Sequence, residues 1–325
     1  MLRHHFSSAV RSSAVRRFTV LALESSADDS CAAVVTSSRA ILSNVVLKQN
    51  HLHEGYGGIH PMVAIQAHQR NMVSPICAAV RPLTSVQPLA VKRALHEANV
   101  DIRKDIDGIA FTRGPGGCLS VGSNAAKTLA AALNLPIVGV HHMQAHALTP
   151  LLTSWPNPPK FPFLTLLVSG GHTLLLLATS LTSFRILATT PDESIGRAFD
   201  KVSRMLGLPW TALGPGAALE AFCLTEPEAD LPELPPFPRP LRGQLGFSYS
   251  SLHSYVERYI TAKEGLDNVD LPTRLALARG FQNAAVAQLE EKLLLAFKWC
   301  SENNIHVHDV VVSGGVASNT YLRER

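Results

Sequence analysis

One pattern limits what this chain can fold into more than any other: a strand, a short polar turn and a returning strand, used twice. Phe18 to Leu23 is an apolar run, Glu24-Ser25-Ser26-Ala27-Asp28-Asp29-Ser30 is polar, and Cys31 to Thr36 is apolar again, which predicts a hairpin. Phe163 to Val168, the turn Ser169-Gly170-Gly171-His172-Thr173 and Leu174 to Ala178 repeat it at the start of the second half. Two halves opening on matching hairpins predict an internally duplicated α/β fold. A third strand-to-turn unit, Val310-Val311-Val312 into Ser313-Gly314-Gly315, leads into a segment that reads as a helix start. Asn124 to Leu133 and Leu275 to Trp299 read as packing helices. Four prolines between Trp155 and Pro162 predict a boundary between the halves, six between Pro227 and Pro240 a long irregular loop, and Pro82 to Pro88 a further excursion.

Composition bounds the rest. With 325 residues, 46% of them hydrophobic and 17% charged, the chain can bury a core in each of two subdomains. The longest apolar stretch, Phe161 to Ala178, is interrupted by Ser169-Gly170-Gly171-His172 and falls short of the roughly 20 apolar residues a membrane span needs, so no membrane association is expected. Cys31, Cys77, Cys118, Cys223 and Cys300 form no CxxC pair and are odd in number, which fits a reducing compartment. Residues 1–17 hold Arg3, Arg11, Arg16 and Arg17 and no acid, the first carboxylate being Glu24. These four arginines account for the net charge of +4, since the remaining Lys and Arg match the 25 Asp and Glu. A Ser- and Arg-rich, acid-free leader reads as a mitochondrial presequence, a plain solvated tail being the alternative. The remainder is neutral and gives no bulk electrostatic case for nucleic acid.

Three loops are candidates for holding an anion. Ser169-Gly170-Gly171 and Ser313-Gly314-Gly315 each follow an apolar strand, where glycine lets backbone N–H groups approach a phosphate; a tight turn is the competing reading of each. Gly114-Pro115-Gly116-Gly117 leads into the helix at Asn124, whose N-terminus adds free N–H groups, a plain turn again being the alternative. Several such loops in one chain favour a nucleotide-like ligand. His142 and His146, spaced i, i+4 in His-His-Met-Gln-Ala-His, would share one helix side and can jointly hold a divalent metal, although such a pair also arises by chance. Met143 stands where a zincin protease carries its general-base glutamate, which excludes that motif.

In chain order, Leu21-Ala22-Leu23-Glu24-Ser25-Ser26-Ala27-Asp28-Asp29-Ser30, Tyr56-Gly57-Gly58, Gly114-Pro115-Gly116, the His142/His146 pair, Leu167-Val168-Ser169-Gly170-Gly171-His172-Thr173, Ala198-Phe199-Asp200-Lys201, Gly214-Pro215, and Ser313-Gly314-Gly315-Val316 with Asn319 resemble the universal tRNA N6-threonylcarbamoyladenosine synthase family. The resemblance runs from about Phe18 to Arg325, and with its leader the chain is similar to the eukaryotic organellar branch. It implies an actin-like/sugar-kinase-like (ASKHA) α/β fold, duplicated, with two subdomains and a ligand cleft between them. It implies a transferase that moves the threonylcarbamoyl group from L-threonylcarbamoyladenylate to N6 of adenosine 37 in mitochondrial tRNAs reading ANN codons. Leu167, Val168, Ser169, Gly170, Gly171, Asp200, Gly214 and Asn319 match positions that hold the adenylate, and His142 and His146 match two ligands of one divalent metal per subunit, zinc or iron. No covalent nucleophile is required, since the adenylate supplies the leaving group. The implied partners are tRNA, a separate synthase that supplies the adenylate and a second copy in a homodimer, in the mitochondrial matrix. The expected organisation is a leader (1–17), a subdomain with the His pair (18–150) and a second subdomain (151–325).

Departures from the family pattern qualify this. The family continues past its Gly-Gly-Val turn to an Asp-Asn-Gly motif whose aspartate completes the metal site, and this sequence contains no Asp-Asn-Gly. The third metal ligand is therefore expected to be absent and the second subdomain incomplete. Met62 stands where many members carry glutamate, and Arg197 where bacterial relatives carry an acid. A non-catalytic truncated paralogue and an ATP-dependent phosphotransferase of the same fold are the alternative readings.

Overall fold

The computed structural model describes residues 17–325 apart from 28, 57–58, 73–88, 115, 210–213 and 228–229. Nearly all of the leader, the Pro82–Pro88 excursion, and Asp28, Gly57, Gly58, Cys77 and Pro115 lie outside the described residues. In chain order the elements are β1 (Thr19–Glu24), β2 (Asp29–Thr36), β3 (Ile41–Lys48), α1 (Asn50–His53), α2 (Pro61–Met72), α3 (Leu89–Ala98), β4 (Gly108–Arg113), α4 (Gly117–Leu133), β5 (Ile137–His141) and α5 (His142–Thr153). They continue as β6 (Phe163–Val168), β7 (Thr173–Ala178), β8 (Phe184–Thr189), α6 (Ile195–Met205), α7 (Pro215–Cys223), α8 (Ser250–Ala262), α9 (Leu271–Glu302), β9 (Val310–Ser313) and α10 (Thr320–Glu324). The described chain divides into two compact units, one comprising residues up to Lys48 with Ile65–Gly139, the other Gln49–Ala64 with Val140–Arg325.

The first unit is built on a sheet of order β3-β2-β1-β4-β5. The predicted hairpin forms, β1 lying antiparallel to β2 with Thr19 opposite Thr36 and Glu24 opposite Cys31, and β4 runs parallel to β1. Alternation buries Leu21, Leu23, Ala32 and Val34 on one face, against α3 and α4, as a period of two requires. Helix α4 begins at Gly117, earlier than Asn124, with Gly116 at its N-cap. The Ser25 hydroxyl ties the hairpin turn to that helix, donating to the Cys118 carbonyl at 2.8 Å and accepting from the Gly122 N–H at 3.0 Å.

The second unit repeats the plan with the order β8-β7-β6-β9. Here β6 is antiparallel to β7 and parallel to β9, as β1 is to β2 and β4. The pairing of second with third strand even slips at a matching place, between Val34 and Val35 in one sheet and between Leu175 and Leu176 in the other. Strand β6 is buried at every position, on both faces, which explains why its sequence is apolar at every position but Thr165. Leu164, Leu166 and Val168 face a core shared with α6 and α9, whereas Phe163 packs with Leu151 of α5 on the other side. The 32-residue α9 is the spine of that core, starting at the Asp270 cap, whose carboxylate accepts from the Thr273 N–H at 2.9 Å. The described part of the proline-rich stretch up to Pro240 contains no helix or strand, as predicted.

Candidate ligand and metal site

Every proposed site residue falls in the second unit, and Leu167 to Gly171 lie at the carboxyl end of β6, which runs parallel to β9, the end of a sheet where open α/β folds bind ligands. Leu167 and Val168 are buried, so they can offer a ligand only their main chain. In the turn that follows, the Ser169 hydroxyl oxygen accepts the Gly171 N–H at 3.3 Å and the His172 N–H at 3.0 Å. Two successive backbone donors thus converge on one oxygen, the turn's own serine hydroxyl, a geometry in which such donors could also meet an anion. A Cβ placed on Gly170 or Gly171 would meet no atom within 4 Å, so the space beside the turn is open and would be filled by any larger residue.

The second Ser-Gly-Gly turn is built differently. Gly314 has φ +105°, and a Cβ there would lie 2.3 Å from the Val168 carbonyl oxygen. Its glycine is required by the close approach of the turn after β9 to the end of the neighbouring strand β6, independently of any ligand. Beyond it, buried Asn319 accepts the Leu322 N–H at 3.0 Å and caps α10. Asp200, on α6, accepts the Gly216 N–H at 3.0 Å and so couples α6 to the start of α7, which Gly214 initiates at φ +92°. Of the eight positions matched to adenylate binding, the side chains of Ser169, Asp200 and Asn319 therefore carry structural hydrogen bonds of their own.

Helix α5 packs on β6 and β9 and brings His142 and His146 to the same edge, as the i, i+4 spacing predicts. Their rings lie 4.6 Å apart, and His146 Nδ1 is 3.3 Å from Ser313 Oγ at the end of β9. His172, from the Ser-Gly-Gly turn, joins them with its ring 6.0 Å from that of His142. Burial pushes His142 down to about 4, with the neighbouring His146, His172 and His141 adding to the fall; burial then His172 lower His146, and burial then His141 lower His172. All three are neutral imidazoles at neutral pH, the form that donates a lone pair to a metal. Among the described residues no three His, Cys, Asp or Glu stand close enough to hold an ion together, and the donors that His142 and His146 could offer a divalent metal are two neighbouring imidazoles.

Sequence reasoning did not single out three residues that shape this site. The hydroxyl of buried Ser194 donates to the Gly170 carbonyl at 2.6 Å, the Gly196 N–H donates to the Ser169 carbonyl at 3.3 Å, and His172 faces the His pair. The one legible signal was the Ser194 N-cap position before an apolar helix.

Comparison with known proteins agrees with this architecture. The sequence matches the family described as TsaD, tRNA N6-adenosine threonylcarbamoyltransferase, over residues 40–325. Over 317 residues it is 40% identical to an Arabidopsis thaliana protein named probable mitochondrial tRNA N6-adenosine threonylcarbamoyltransferase, covering 94% of this chain but 62% of that protein. It is 36% identical over 310 residues to the tRNA N6-adenosine threonylcarbamoyltransferase of Methylobacillus flagellatus, covering 94% of this chain and 82% of that one. Among solved structures, component A of the (R)-2-hydroxyglutaryl-CoA dehydratase of Acidaminococcus fermentans superposes with a TM-score of 0.50 at 14% identity, covering 94% and 86% of the two chains; this likeness concerns fold alone. The fold is the actin-like/sugar-kinase-like duplicated α/β class, and the chain belongs to the tRNA N6-adenosine threonylcarbamoyltransferase family.

Proposed function

We propose that this protein transfers the threonylcarbamoyl group from L-threonylcarbamoyladenylate to N6 of adenosine 37 in mitochondrial tRNAs that read ANN codons. The observation that carries the reading is the convergence of the Gly171 and His172 N–H groups on one oxygen, beside open space and three neutral imidazoles. In this proposal the adenylate phosphate takes the position now held by the Ser169 hydroxyl, and the Leu167–Gly171 main chain lines its path. Asp200 and Gly214 orient the ribose end, with Asn319 holding the opposite turn. His142 and His146 would hold one zinc or iron ion, which would polarise the carbamoyl carbonyl and orient the donor. The chain's own contribution is to bind and orient: preorganised N–H donors neutralise charge that stays with the leaving AMP phosphate. The adenosine amine attacks the carbamoyl carbon, the bond to the phosphate oxygen breaks, and the amine proton passes to solvent or phosphate.

The wider reading is a matrix protein imported by residues 1–17, with subdomains of 18–150 and 151–325, paired with a second copy and fed by a separate synthase that makes the adenylate. The Arabidopsis relative, which carries the word mitochondrial in its name, supports the compartment. The test is formation of threonylcarbamoyladenosine from purified adenylate and an ANN-reading tRNA by the wild type and by Gly170→Val. Because that Cβ enters open space, the variant should fold normally and lose binding of a stable adenylate analogue. Wild-type affinity in Gly170→Val would overturn the assignment.

A further inference from the structure

We propose that Ser194 is a positioning residue for the Ser169–Gly171 turn, acting through the Gly170 carbonyl; the inference rests on the ligand reading of that turn given above. Gly170 and Gly171 carry no side chains and have open space around them, so the peptide plane between them is held by hydrogen bonds. That plane matters because a trans peptide points its C=O and its N–H to opposite sides. Fixing the Gly170 oxygen therefore fixes the direction of the Gly171 N–H, one of the two donors aimed at the oxygen site.

Ser194 is built to do this. It is buried, it caps α6, and its single hydroxyl serves two partners, donating to the Gly170 oxygen at 2.6 Å and accepting from the Arg197 N–H at 3.3 Å. The same helix start grips the turn at two further points, with the Ile195 N–H on Thr173 Oγ1 at 2.8 Å and the Gly196 N–H on the Ser169 oxygen at 3.3 Å. Both of those use main-chain donors that almost any sequence would supply. The approach is close enough that a Cβ on Gly196 would lie 2.7 Å from the Ser169 oxygen. The grip on Gly170 alone depends on the side chain of Ser194.

The anchor beneath Ser194 does not depend on its hydroxyl. Asp192 accepts the hydroxyls of Ser248 at 2.6 Å, Ser250 at 2.7 Å and Thr190 at 2.7 Å, which fastens the chain before α6 to the start of α8. Removing the Ser194 hydroxyl should therefore free the Gly170–Gly171 peptide and leave the segment in place.

Two variants of the full 325-residue chain separate positioning from support. Ser194→Gly keeps an acceptable N-cap residue, since glycine ranks close behind serine at a helix start, but lacks the donor. Ser194→Thr keeps cap and donor. The loss of one hydrogen bond predicts that Ser194→Gly weakens binding of a stable threonylcarbamoyladenylate analogue about two- to tenfold and speeds hydrogen exchange of the Gly171 amide by a similar factor. Its melting temperature should stay near that of the wild type, and Ser194→Thr should match the wild type in all three. Unchanged Gly171 exchange in Ser194→Gly, or an equal loss in Ser194→Thr, overturns the proposal. A wild type that fails to bind the analogue would sink the ligand reading, while the exchange comparison would still decide the role of Ser194.

Discussion

The two Ser-Gly-Gly turns look alike in sequence and should respond oppositely to the same substitution. At Gly314, φ is +105° and ψ 169°, a backbone region open essentially to glycine alone, and forcing alanine into it costs about 1–3 kcal/mol. The added Cβ would also stand 2.3 Å from the Val168 carbonyl oxygen and 2.8 Å from its carbon, both backbone atoms at the end of β6. Relief requires β9 and β6 to separate where Leu167 pairs with Ser313, at a further cost of about 1–3 kcal/mol, typical of overpacking. Gly314→Ala should thus destabilise the second unit by about 2–6 kcal/mol. For a unit of this size, at about 2–4 °C per kcal/mol, the melting temperature falls on the order of 10 °C. Gly170→Ala places its Cβ in open space with no positive φ and should stay within about 0.5 kcal/mol of the wild type. Thermal unfolding followed by circular dichroism, with the three proteins side by side, reads the difference directly. Equal melting of Gly314→Ala and wild type, or an equal fall in Gly170→Ala, would refute the reasoning that one glycine serves the fold and the other the ligand.

Further outcomes follow from other parts of the second unit. Burial would raise the Asp192 carboxyl, but the hydroxyls of Ser248, Ser250 and Thr190 and the Glu193 N–H outweigh it and hold the group well below the usual carboxylate range. Its stabilisation is therefore present above the unfolded value near about 3.9 and is lost as pH falls toward the lower folded value. The urea midpoint of the wild type should drop on acidification below about pH 4, and Asp192→Asn should weaken that drop while costing about 1 kcal/mol at neutral pH after allowance for solvent screening. Added zinc should raise the melting temperature by mass action, and His142→Ala or His146→Ala should abolish that rise with little change in the metal-free protein. Lys292 is fully buried and donates to the Leu241 carbonyl at 2.7 Å and to Glu291 at 2.9 Å. Lys292→Met should cost about 1–3 kcal/mol in urea unfolding by leaving that carbonyl without its donor, and an unchanged midpoint would show that the bond contributes nothing net.

The sequence alone determined what depends on near neighbours along the chain. The β6–β7 hairpin was legible because an apolar run, a glycine turn and a second run are all local, and the repeat of β1–β2 made the duplication legible with it. His142 and His146 were legible as a pair because helical spacing alone puts them on one side. Tertiary structure decided what depends on approach between distant segments. Helix α5 groups by contact with the second unit, although chain order sets it before the proline-rich stretch, because it packs on β6 and β9. His172 joins the histidine pair only once the turn and α5 meet at one sheet edge, and Ser194 reaches Gly170 across 24 residues of sequence. Which glycine is obligatory was likewise undecidable from two identical tripeptides. The answer lies in whether another backbone stands within 3 Å of where a Cβ would be, as Val168 does at Gly314 and nothing does at Gly170, and that proximity is set by packing rather than by periodicity.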